Sequence, residues 1–181
     1  MKNERMVYES DRIRVYQRDQ RLFNGKIKVF ERWERLWCVY IIPVQNGKIL
    51  MTYQKQPHKS DRYRWHVWWL IEWWEDHGTC AQRELLEETW YSASNLDMYR
   101  NKQDKWSVRQ EKYVYIAKWL EKISEQSLDP GGEMIELKWV DIDEYIDMLI
   151  HKKCGWSGWR EEIMIKIIDW WIDEFMDLLK N

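Results

Sequence analysis

"EDHGTCAQRELLEET", residues 75–89, decides how this chain is read. The stretch predicts a helix over 78–89, with Asp76 or Thr79 able to cap its start. Ala81, Leu85 and Leu86 can face a core. Glu84 and Glu88 are spaced i,i+4, and Glu84 and Glu87 i,i+3, so all three carboxylates can point to one side, with Glu75 upstream. Three like charges on one face repel each other unless a cation sits among them. Oxygen-rich clusters of this kind suit Mg²⁺ or Mn²⁺, which in turn bind phosphate oxygens. Arg83 can tie one carboxylate down through a bidentate pair. A plain solvated acidic helix face would carry the same charges.

On the N-terminal side lies "RYRWHVWWLIEWW", residues 62–74, with Trp at 65, 68, 69, 73 and 74. Further back, "RIRVYQR" (12–18) and "KIKVFERW" (26–33) alternate apolar and polar residues, with Asn24-Gly25 just before the second, a hairpin pattern. "CVYIIPV" (38–44) is a nearly continuous apolar run, as expected of a buried strand. "QNGK" (45–48) turns it into "ILMTYQ" (49–54). On the C-terminal side, "EKYVYIAKWL" (111–120) and "MIELKWVDI" (134–142) predict strands. "DEYIDMLIHKK" (143–153) predicts a short helix, and "WREEIMIKIIDWWIDEFMDLLK" (159–180) a long amphipathic one. Strands, one internal helix, more strands, then helices indicate an α+β fold or mixed-sheet sandwich.

The 181 residues suffice for one domain with a sizeable core, and no linker, repeat or low-complexity tract divides them. A charged fraction of 33% with net charge -2 argues against disorder and against a nucleic-acid polymer bound by bulk charge. No apolar run approaches the ~20 residues of a membrane span. The three Cys (38, 80 and 154) are odd in number and lack CxxC spacing, which makes a reducing cytoplasm the default expectation. His77 lies three residues before Cys80, but two ligands do not make a soft-metal site. Trp is the anomaly at 15 copies, against 7 Gly and 3 Pro. Ordinary usage would give roughly 13 Gly and 9 Pro in this length.

The charged spacing is more specific than the charge. From Glu75 to Thr89 the pattern E-x7-R-E-L-L-E-E-T resembles the Nudix box, G-x5-E-x7-R-E-U-x-E-E-x-G-U, where U is aliphatic. Glu75, Arg83, Glu84, Leu85, Glu87 and Glu88 match. The box glycines correspond to Trp69 and Trp90, and the last aliphatic position to Tyr91. "VWWLIEWWE" (67–75) stands in register with the family's P-x-G-x-I-E-x-G-E loop and keeps Ile71, Glu72 and Glu75. "VYIIPVQNGKILMTYQKQ" (39–56) and "GEMIELKWVDIDE" (132–144) resemble the branch that cleaves ADP-ribose and other nucleotide sugars.

The resemblance implies a single Nudix-like α+β domain, an α/β/α sandwich with a mixed sheet flanked by helices. Residues 1–36 would form an N-terminal antiparallel hairpin region, and 37–181 the core with its C-terminal helix. It further implies water attack on a pyrophosphate linkage of a nucleoside diphosphate derivative, assisted by Mg²⁺ or Mn²⁺. Glu84 and Glu88 would be metal ligands, Glu87 a ligand or base, and Arg83 the orienting partner. Glu75 would bind metal indirectly or support the loop. Glu133 is the candidate base of the later loop, with Glu136 in reserve. Arg62 and Arg64 could meet substrate phosphate; as exposed basic residues they would need no such role. The expected partner is a nucleotide-type small molecule, with no nucleic-acid polymer and no membrane, and a homodimer is open.

The tryptophans set the competing expectations. Gly in a tight loop often serves a left-handed φ or a close approach, so Trp90 should strain a left-handed helix cap by roughly 1–2 kcal/mol. The indoles between 67 and 75 should redirect the loop. They can form an aromatic slot for a base at Trp69, be buried, or record deliberate substitution into a natural sequence. The second functional reading is a catalytically impaired scaffold that binds partners, or its own copies, through Trp surfaces.

Overall fold

Asn46 and Gly47 both take left-handed φ, 52° and 69°. "QNGK" thus closes the two-residue hairpin turn that its sequence predicts. It joins β4 (Cys38–Gln45) to β5 (Lys48–Lys55). The hairpin is paired only at Val44↔Ile49 and Gln45↔Lys48. Beyond that point the two strands splay. β7 (Val67–Leu70) takes up the freed edge of β4, and β6 (Tyr63–Trp65) that of β5. Pro43, which cannot donate to a ladder, falls in the gap between the β7 pairing, which ends at Ile41, and the β5 pairing, which starts at Val44.

The computed structural model describes residues 4–55, 63–72, 74–103, 108–123, 134–151 and 172–180. The other elements are β1 (Arg5–Glu9), β2 (Ile13–Arg21), β3 (Ile27–Arg35), α1 (His77–Thr89), β8 (Tyr91–Gln103), β9 (Val108–Arg109), β10 (Glu111–Lys122), β11 (Met134–Asp141), α2 (Ile142–Ile150) and α3 (Ile172–Lys180). The large sheet runs β11-β5-β4-β10-β8, with β6 and β7 attached as above, and a second sheet runs β1-β2-β3-β9. β10 lies parallel to β4 and antiparallel to β8, so the sheet is mixed.

Alternation along β4 and β10 sorts the core into two layers. Cys38, Tyr40, Ile42, Val44, Val114 and Ile116 pack against α2 and α3 through Tyr145, Met148, Leu149, Phe175 and Leu179. Val39, Ile41, Tyr113, Tyr115 and Ala117 face α1 through Cys80, Ala81 and Leu85. With helices on both faces, the architecture is the expected α+β sandwich. Leu86, expected to face the core, is instead exposed at 40%. Its position on the helix lies opposite the sheet, and Glu84 and Glu88 take the buried side.

Five strands, β1, β6, β7, β8 and β9, depart from the sequence-based reading. The Trp-rich stretch, expected as loop, is strand over 63–65 and 67–70. β8, thirteen residues of mostly polar "YSASNLDMYRNKQ", carried no strand pattern. It forms by laddering along β10, and its charged residues suit the sheet edge that it occupies. β1 and β9 were likewise unassigned. The long C-terminal helix is described only over Ile172–Lys180. Its earlier part, with Trp170 and Trp171, lies outside the described residues, as do Cys154, Arg62 and Glu133.

The two box glycine positions part company. Trp69 pairs with Val39 in a regular strand and is not among the residues with positive φ. Trp90 caps α1 in the left-handed region, φ 60° and ψ 17°, and its N–H donates to the Leu86 carbonyl at 2.7 Å. Trp119, exposed on β10, has φ 50°. A Trp90→Gly variant is expected to raise the unfolding free energy by about 1 kcal/mol. The readout is a higher urea midpoint at unchanged slope; a lower midpoint would mean that packing of the half-buried indole outweighs the strain.

His66, at the break between β6 and β7, is buried and bonded through Nε2 to the Tyr145 hydroxyl at 2.7 Å. Burial pushes its pKa down to about 4. Above pH 6.5 the imidazole is neutral in both states and contributes no pH dependence. As the pH falls below 6.5 the unfolded chain takes up a proton that the fold refuses, so stability drops until about pH 4. This one group should cost about 2 kcal/mol between pH 6.5 and 5, at ~1.4 kcal/mol per pH unit. Urea midpoints of the wild type and His66→Gln at pH 7.5 and 5.0 check it. The variant should lose less stability on acidification, and equal losses would refute the assignment.

Candidate active site

The site starts at a helix cap. Asp76 has extended backbone and its carboxylate accepts from the Gly78 and Thr79 N–H groups at 2.9 and 3.1 Å. Of the two candidate caps, Asp76 is the one used. The Thr79 bonds hold its pKa below the ordinary aspartate value. This start fixes the phase of α1, and with it the direction of every acid downstream.

That phase brings Glu75, Arg83, Glu84 and Glu87 together. Arg83 donates from Nε and Nη2 to the two Glu75 oxygens, both at 2.9 Å, a bidentate pair. Its Nη1 donates to Glu87 at 2.9 Å and also to Glu84. The side chains of Glu75 and Glu84 are nearly buried, that of Glu87 is exposed, and that of Arg83 is 33% exposed. The Arg83 bond holds Glu75 below the usual carboxylate range. Glu84 goes the other way: burial pushes it up to about 7, against the pull of Arg83. Glu88, one turn on, is buried as well.

The donor set fits a hard divalent cation. It is all carboxylate oxygen, and the Glu84 carboxylate stands in a desolvated place where a second positive charge would stabilise its ionised form. Among the described residues, no three His, Cys, Asp or Glu side chains converge as a metal-holding group. Glu84 and Glu87 turn onto the Arg83 guanidinium instead.

The structure brings together four of the residues singled out from sequence, Glu75, Arg83, Glu84 and Glu87, with Glu88 buried one turn further along α1. Trp69 stands on the strand beside α1, 44% exposed. Arg64 lies in β6, its backbone paired with Tyr53. Glu136 is on β11, exposed and paired across from Tyr53. Cys80 is buried, and burial raises its thiol to about 12. His77 is committed elsewhere: its ring stacks on Tyr113 at 4.1 Å and its Nδ1 bonds the Tyr115 hydroxyl. Trp37 leans on the same Tyr113 at 6.2 Å. Sequence reasoning passed over this aromatic group beside the start of α1. The available signal was Tyr113 and Tyr115 two apart on a strand, hence on one face.

The NUDIX domain model matches residues 34–157. A solved structure described as the crystal structure of ADP compounds hydrolase superposes with a TM-score of 0.70, covering 96% of this chain and 94% of that one. The two share 18% sequence identity, so the likeness is one of fold. No curated protein sequence matches the chain.

Proposed function

The chain belongs to the Nudix family of pyrophosphohydrolases, and on that premise we propose that it hydrolyses the pyrophosphate linkage of a nucleoside diphosphate derivative such as ADP-ribose, with Mg²⁺. One observation carries the reading. Glu75, Arg83, Glu84, Glu87 and Glu88 keep the box spacing, and Arg83 gathers three of the acids into one cluster with Glu88 one turn on. A bound Mg²⁺ would neutralise diphosphate oxygens and make water a better nucleophile.

Glu84, Glu87 and Glu88 would hold the cation. For that, Glu84 and Glu87 must turn from the guanidinium, and Arg83 keeps its bidentate hold on Glu75. Glu75 then acts as the anchor that keeps Arg83 in place. The exposed Glu87 is the acid best placed to orient or deprotonate water. Glu133, Arg62 and Arg64 remain candidates for a base and for phosphate contacts.

The test is release of AMP and ribose 5-phosphate from ADP-ribose, followed by chromatography with Mg²⁺ and with EDTA. Turnover that appears with Mg²⁺ and vanishes with EDTA is expected. No turnover on ADP-ribose or other nucleoside diphosphate derivatives would favour the impaired-scaffold reading. That reading has its own support in the exposed Trp33, Trp37, Trp69, Trp74 and Trp119.

A further inference from the structure

Trp69 occupies a position that its neighbours do not explain. On the α1 face of β7, Val67 is fully buried and Ile71 nearly so, both packed beneath the helix. Trp69 lies between them on the same face, across from Val39, yet it is 44% exposed. Part of its indole therefore lies out from under the helix. Cys80 of α1 approaches the Leu70 carbonyl at 3.9 Å, so the Cys80 side of the helix faces β7. At 100° per residue, Glu84 and Glu87 lie within about 40° of Cys80 around the helix. The β7 flank of α1 is therefore also the flank that carries Glu84 and Glu87. Behind it, Trp68 stands at 6.5 Å and is itself stacked on Tyr40 at 6.2 Å, which fixes the strand that presents Trp69.

We propose that Trp69 is a stacking wall for the nucleobase of the substrate. A diphosphate held through a cation on the carboxylates would lay its base on the emergent indole face. The inference rests on the proposed diphosphate chemistry for the site but not on turnover. Stacking on an indole is tolerant of base identity, because every base offers a π-face. The wall therefore selects for a nucleoside over a non-aromatic phosphate and discriminates only weakly among bases.

The experiment is titration of ¹⁵N-labelled protein, in the presence of Mg²⁺, with AMP and, separately, with ribose 5-phosphate. The indole N–H resonance of Trp69 is identified by its loss in Trp69→Leu. AMP should shift this resonance, and Trp69→Leu should weaken AMP binding about 5- to 50-fold. Ribose 5-phosphate affinity should stay unchanged, and Trp69→Phe should restore most of the AMP affinity. Equal AMP affinity in wild type and Trp69→Leu, with the fold intact by circular dichroism, overturns the proposal. The two ideas fail separately: AMP stacking without ADP-ribose turnover removes only the proposed function. Turnover of ADP-ribose with unchanged KM in Trp69→Leu removes only the wall.

Discussion

Glu87→Gln and Glu88→Gln should each lower Mg²⁺-dependent hydrolysis of ADP-ribose by about 10²–10³-fold, the size seen when one preorganised charge-stabilising group is removed. Both substitutions keep side-chain shape and remove a charge, so the melting temperature should move little. Glu87 is exposed and holds only one arm of Arg83. Glu88 is buried on the sheet side of α1, where a neutral amide costs less to desolvate than a carboxylate. Loss of kcat with an unmoved melting temperature separates chemistry from folding. Wild-type turnover in both variants would refute the ligand set.

The largest stability effect falls on Arg83. Removing one partner of a buried ion pair costs about 3–5 kcal/mol because a charge is left uncompensated. Arg83 is a third exposed, so water screens part of this. Arg83→Ala should therefore cost about 2 kcal/mol, or roughly 4–8 °C in a chain of this size. Glu84 is the acid left in greatest difficulty, since burial already holds it near 7. Adding Glu84→Gln should recover at least half of the loss. A single variant that melts at the wild-type temperature would show that the acids do not need the guanidinium for stability.

Much of the site was legible because it is local. Glu75, Arg83, Glu84 and Glu87 lie within thirteen positions (87 − 75 + 1) on one helix and its lead-in, so spacing alone predicts that these four meet. The β4–β5 hairpin was legible for the same reason, through Asn46-Gly47. β8 was not, because an edge strand with polar faces gains its structure from the neighbouring ladder and leaves no apolar alternation behind. The Trp stretch misled by composition. Its residues suggested a distorted loop, and Trp69 lies in a regular strand because a β-strand position accepts an indole without φ strain. Trp90 kept the left-handed cap that the family pattern implies, since the N–H of the capping residue must still reach Leu86. The backbone requirement was visible in sequence; that a Trp would bear it was not.

The parallel pairing of β4 with β10 has a consequence for the order of folding. Cys38 meets Lys112, so the ladder joins residues 74 apart (112 − 38). The Asp76 cap and the Glu75–Arg83 pair need only neighbouring residues. Loop closure over such a span is entropically slow compared with forming a single helix. A nascent α1 can therefore pair its charges while its acids are still bathed in water. Glu84 becomes a hard acid to ionise only once the sheet arrives beneath it. Stopped-flow refolding across pH 5–8 should register its proton uptake in the slow phase, together with the final closure of the sheet.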